Sequence, residues 1–99
     1  MENQIQDNIF PAMLRDVESK NALTCAVTLE VDARDLACPL PLLKARQALR
    51  NVAISELVRV LATDGGSLKD FVSFAQLTGQ LLEGFCMQDN YYCFVIRKQ

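Results

Sequence analysis

Cys38-Pro39-Leu40-Pro41, a cysteine followed directly by two prolines at alternate positions, is the stretch of this chain best equipped for chemistry. A helix-forming run, Leu42 to Arg50, comes straight after it. Proline is tolerated in a first helical turn because the amides there lack an intrahelical acceptor. The pair therefore predicts a helix start near Pro39 and puts Cys38 at or next to the N-cap. The partial positive charge of a helix end favours thiolate over thiol, and Pro39 and Pro41 stiffen the backbone around the sulfur. The competing reading is a small buried hydrophobe at a loop–helix junction, a common fate of free cysteine. The flanking prolines and the basic residues that follow turn the reading toward sulfur chemistry.

What surrounds that cysteine in sequence narrows the chemistry. The chain has no histidine, which removes Cys-His and Ser-His-Asp catalysis and every zinc site that needs an imidazole. The four cysteines, Cys25, Cys38, Cys86 and Cys93, include no C-x-x-C pair, so a thioredoxin-type dithiol and an all-cysteine zinc site are not expected. No metal or cofactor is called for. Activation of Cys38 then falls to the helix end and a nearby cation, Arg34 or Lys44. Such a thiolate exchanges sulfur with another sulfur atom and is poorly equipped to hydrolyse an amide. Leu40, between the prolines, either sits exposed beside the sulfur as a partner contact or packs at the helix start.

Ninety-nine residues, 51% hydrophobic and 22% charged, suit one domain with a single modest core. The net charge of -2 speaks against direct nucleic-acid binding. No secretory signal and no bilayer-spanning run of roughly 20 apolar residues is read, so a cytoplasmic location with reduced thiols is the expectation. Residues 1–24 form an N-terminal extension in which Ile9, Phe10, Met13, Leu14 and Val17 share one helical face. That extension is either a short amphipathic helix or a mobile tail, and residues 25–99 are the domain.

Positioning elements follow from periodicity and turn chemistry. Ala26–Asp32 alternates as a strand with Val27, Leu29 and Val31 inward, and Arg34-Asp35-Leu36-Ala37 is the loop that delivers Cys38. In the first helix, Leu42, Ala45, Ala48 and Leu49 face the sheet, while Lys44, Arg46 and Arg50 face solvent. Glu56–Ala62 reads as a central strand, and Thr63-Asp64-Gly65-Gly66 as a tight turn. Ser67 is expected to cap a second helix with Asp70 in a shortened capping box. Leu68, Phe71, Val72, Phe74 and Ala75 form that helix's apolar face, and Gly79 stops it. Strands of about Gln80–Gln88 and Tyr91–Lys98 meet at Asp89-Asn90, which sets Cys86 opposite Cys93, Met87 opposite Tyr92 and Phe85 opposite Phe94. The order β-α-β-α-β-β predicts an α/β (α+β) two-layer sandwich: a four-stranded mixed sheet with two helices on one face. The other face is left partly open, for the N-terminal helix or a second copy, so the chain is expected as a monomer or weak homodimer.

Asp32-Ala33-Arg34-Asp35-Leu36-Ala37-Cys38-Pro39-Leu40-Pro41-Leu42-Leu43-Lys44-Ala45-Arg46 resembles the signature of the TusA-like (SirA-like) sulfur carriers. Ala62 to Ser67 and Phe94 to Lys98 resemble two further stretches of that family, so the likeness spans about residues 26–98. It implies a domain of the same β-α-β-α-β-β plan whose motif cysteine, Cys38 here, carries sulfur as a persulfide. A cysteine desulfurase or rhodanese-like enzyme would load it, and a downstream acceptor protein would take it, as in 2-thiouridine formation on tRNA or another sulfur pathway. The resemblance also places Arg46 on the docking surface and Asp64, at an acidic position before the second helix, among the partner-binding residues. Three residues depart from the family pattern: Asp35 stands at the usual glycine, Gly65 where proline is common, and Gln80 at a frequent histidine. Asp35 tolerates left-handed backbone, but its charge three residues from Cys38 would oppose thiolate formation. Two other readings stay open. One is an interaction module in which Cys38 only caps a helix; the other is a thiol redox sensor pairing Cys38 with Cys25, Cys86 or Cys93.

Overall fold

The computed structural model describes residues 20–99 except Asp89; the apolar face read at Ile9–Val17 lies outside the described residues. A short 3-10 helix, Lys20–Leu23, leads into β1 (Leu29–Ala33), α1 (Leu40–Arg50), β2 (Leu57–Ala62), α2 (Ser67–Thr78), β3 (Leu81–Met87) and β4 (Tyr92–Arg97). The sheet order is β1-β2-β4-β3. β1 runs parallel to β2, and β4 runs antiparallel to both β2 and β3. The four-stranded mixed sheet with two helices is the architecture that the alternating pattern predicts.

Both helices bury the faces expected of them. Ala45, Ala48 and Leu49 of α1 and Phe71, Val72 and Ala75 of α2 share one core with Val58, Val60, Phe94 and Ile96 of the sheet. Phe71 stacks on Phe94 with ring centroids 4.3 Å apart, a geometry that contributes about 1 kcal/mol beyond area burial. Gly79 closes α2 at φ 78°, its amide bonded to the Ala75 carbonyl. The hairpin keeps the expected register at Cys86–Cys93, Met87–Tyr92 and Phe85–Phe94. The Gln88 amide bonds to the Tyr91 carbonyl at its end.

The first strand differs from its sequence reading. Regular pairing begins only where the Thr28 amide reaches the Leu57 carbonyl, so the alternation counted from Val27 breaks there. Val27 packs on the opposite face of the sheet, with Leu23, Cys25, Leu61, Cys93 and Val95. Leu29, at the start of this edge strand, is 37% exposed rather than inward.

That opposite face is partly covered by residues 22–27. Ala22 is buried there, three residues ahead of the domain start read from the sequence. The Arg59 side chain, almost wholly buried, rises from β2 and donates to the Ala22 carbonyl at 2.7 Å, to the Cys25 carbonyl, and to Glu30 Oε1 at 2.8 Å. Gly84 admits the 3-10 helix: a Cβ there would come within 3.1 Å of Val95 Cβ and 3.4 Å of Ala22 Cβ.

Candidate functional site

Cys38 stands exposed at the head of α1, where the sequence places it. Pro39 is the N-cap, and Pro41, buried, lies in the first turn. The Leu40 amide bonds to the Ala37 carbonyl at 2.8 Å, so the turn carrying the sulfur is closed by backbone alone. Leu40 and Leu43 are both exposed, at 46% and 43%, which puts apolar surface just after the sulfur.

The electrostatics are the reverse of those expected. The Cys38 thiol donates to Asp70 Oδ2 at 2.5 Å. That bond, the desolvation around the sulfur and the charges of Asp70 and Asp64 push the thiol from its usual 9.0 up to about 11. Arg34 serves elsewhere: it donates twice to Asp32 at 2.8 Å and lies over the Tyr91 ring. Its bond holds the Asp32 carboxyl down at about 2. Lys44 is exposed on α1. The groups set against the sulfur are thus carboxylates, where the sequence reading has Arg34 or Lys44. The expected opposition to the thiolate is present, but from Asp70 and Asp64 rather than Asp35.

Asp70 owes this position to an unmade capping box. Gly66, not Ser67, is the N-cap of α2, so the cap residue has no side chain to bond the first-turn amides. Ser67 begins the helix with its hydroxyl buried and unpartnered among the described residues. The Ser67 amide, which a Ser67–Asp70 box would use, goes to the Asp64 carbonyl at 3.1 Å, and Asp64 Oδ2 takes the Gly66 amide at 2.9 Å, which leaves the Asp70 carboxylate to turn toward the thiol. Gly66 itself borders the sulfur: a Cβ there would lie 3.4 Å from Cys38 Sγ and 3.1 Å from Asp64 Oδ2. Since Gly66 has φ -78°, only space is at stake. Gly66→Val is expected to slow alkylation of Cys38 several-fold more with a bulky maleimide than with iodoacetamide. Equal slowing by both reagents in competition assays would show that the gap at Gly66 does not limit access.

Asp35 takes the left-handed conformation at φ 70°, and its amide donates to Thr63 Oγ1 at 2.8 Å. The loop carrying the cysteine is thereby tied to the loop carrying Asp64. Arg46 is not brought to the sulfur. It lines a groove with Arg50, Phe74 and Lys98, six residues along α1 from Leu40, where the helix begins. Asp70, Gly66 and Thr63 are the site residues that sequence reasoning missed. A carboxylate in a first helical turn reads as a cap, and nothing local connects it to a cysteine 32 positions away.

The other three sulfurs do not join this site. Cys25, Cys86 and Cys93 pack on the opposite face of the sheet. Cys93 donates to the Ala22 carbonyl at 3.3 Å, and burial pushes its thiol up to about 11. A sensor pairing one of them with Cys38 has no support in this arrangement.

The family model described as Sulfurtransferase TusA matches residues 29–98, which include Cys38, Gly66 and Asp70. The chain belongs to the TusA family. It is 41% identical over 69 residues to the sulfur carrier protein TusA of Allochromatium vinosum, covering 70% of this chain and 91% of that one. It is 30% identical over 73 residues to the TusA of Pseudomonas syringae pv. syringae, covering 74% and 87%. A SirA-like protein from Desulfitobacterium hafniense shares the TusA fold with a TM-score of 0.63 at 24% identity, over 71% of this chain and 96% of that one. Among the described residues no helix is long and apolar enough to cross a membrane.

Proposed function

We propose that this TusA-family chain is a sulfur carrier that accepts sulfane sulfur as a persulfide on Cys38 and relays it to an acceptor protein. The observation that carries this reading is the exposed Cys38 thiol at the head of α1, inside the Cys-Pro-Leu-Pro turn and within the family match. Its immediate surroundings suit a carried group: Pro39 and Pro41 stiffen one side, and Gly66 leaves the other free of a side chain. The donor is a cysteine desulfurase or a rhodanese-like enzyme, and the acceptor serves tRNA thiolation or another sulfur-transfer pathway. Encounters with both are brief, so a small interface with charged residues fits. Leu40, exposed beside the sulfur, and Arg46, farther along α1, are the proposed contacts.

The test is intact-mass spectrometry of folded, reduced protein after incubation with cysteine and a cysteine desulfurase, and separately with thiosulfate and a rhodanese. The expected result is a reductant-labile gain of one sulfur atom that disappears in Cys38→Ser. Serine retains a capping oxygen but cannot carry sulfur. No gain from either donor would favour an interaction module instead.

A further inference from the structure

Resting on the sulfur-carrier reading, we propose that Asp70 is the catalytic proton acceptor for Cys38 during sulfur loading. The bond from Cys38 Sγ to Asp70 Oδ2 puts a carboxylate directly on the proton that must leave before the sulfur can attack. No histidine exists anywhere in the chain, so the usual base for a thiol is missing. The second carboxylate near the sulfur, Asp64, is committed to the Gly66 amide through the same kind of oxygen. Among the described residues the Asp70 carboxylate bonds to the thiol and to no backbone amide. In a helix first turn it would ordinarily face backbone donors; here it faces the thiol.

The exchange balances as follows. Cys38 sulfur attacks the outer sulfur of the donor persulfide as its proton passes to Asp70. The donor's sulfur–sulfur bond breaks, its electron pair goes to the donor's inner sulfur, and Asp70 hands the proton to that departing thiolate. The products are the Cys38 persulfide and a donor thiol, with no net oxidation. Release is the same exchange run toward an acceptor, whose thiol proton reaches the departing Cys38 sulfur through Asp70. General-base assistance of this kind contributes 10²–10⁴-fold in typical enzymes.

Two effects of Asp70 have opposite signs, which makes the proposal testable. As a negative charge bonded to the thiol, Asp70 holds the proton on and slows reaction with any simple electrophile. As a proton acceptor, it speeds sulfur exchange. The experiment measures two rates at pH 7.5 on wild type, Asp70→Asn and Asp70→Glu, each confirmed folded by thermal melting. One rate is alkylation of Cys38 by iodoacetamide; the other is sulfur loading from glutathione persulfide, which presents no protein surface and so reports no docking defect. In Asp70→Asn, alkylation is expected to rise about tenfold while loading falls at least about tenfold. Asp70→Glu is expected to recover part of the loading. If loading rises together with alkylation in Asp70→Asn, Asp70 is an electrostatic brake and the proposal is overturned. Loading unchanged in Asp70→Asn overturns it equally. A wild type that is alkylated but never loaded, by this donor or by the enzymes above, refutes the carrier reading itself and this proposal with it.

Discussion

Alkylation of Cys38 by iodoacetamide is expected to keep rising with pH until about 11, with no plateau near the ordinary thiol range. The sign follows from the groups around the sulfur. The bond to Asp70 and the neighbouring charges of Asp70 and Asp64 favour the protonated form, and desolvation acts the same way. Relative to an ordinary thiol, that position leaves about a hundredfold less thiolate at neutral pH. The more basic thiolate is the better nucleophile, which restores about a factor of ten. Cys38 should therefore react about tenfold more slowly than free cysteine at pH 7.5. Peptide-resolved mass spectrometry separates it from the three other thiols, with Cys38→Ser as the blank. A rate that levels off near pH 9 would mean that the carboxylates do not govern the thiol in solution. If the slow profile holds, an idle carrier is shielded from stray oxidants and electrophiles, which also need thiolate.

Arg59→Met is expected to destabilise the fold by about 3 kcal/mol. Arg59 is 8% exposed and makes three contacts that methionine cannot replace. Its loss strands the Ala22 and Cys25 carbonyls on the covered face of the sheet, at about 1–3 kcal/mol for each acceptor that water cannot reach. Methionine keeps the apolar stem and roughly the length, so the packing term stays small. In a chain of this size each kcal/mol moves the midpoint about 4–8 °C, which predicts a drop of about 12–24 °C in thermal melting. A second readout locates the damage: Cys93, fully buried against residues 22–27, should become open to alkylation in Arg59→Met while Cys38 keeps its wild-type rate. An unchanged melting midpoint would show that residues 22–27 are not held by Arg59.

The elements and their order were legible because each has a local signature. The prolines before α1, Gly79 after α2, the alternating hairpin and the apolar β2 each state their conformation within a few residues. The turn chemistry at Asp35 was equally readable, since its side chain is among the few that accept φ 70°. What escaped was everything that depends on residues distant in sequence. Val27 follows the strand alternation on paper, yet the strand begins after it and Arg59 draws residues 22–25 to the far face. The charge around Cys38 was assigned from neighbours in the chain, Arg34 and Lys44, whereas Arg34 closes on Asp32 two residues away. The group that meets the sulfur comes from the next helix. Ser67 and Asp70 have the right spacing for a capping box, and only the fold reveals that the thiol competes for the carboxylate.

The bond from the Asp35 amide to the Thr63 hydroxyl has a consequence for every protein that meets this one. It joins the two loops that flank the sulfur, so the loop that carries the cysteine and the loop that carries Asp64 are held to each other. In the proposed relay, a donor or acceptor cysteine would approach past Gly66, which sets no side chain against the sulfur.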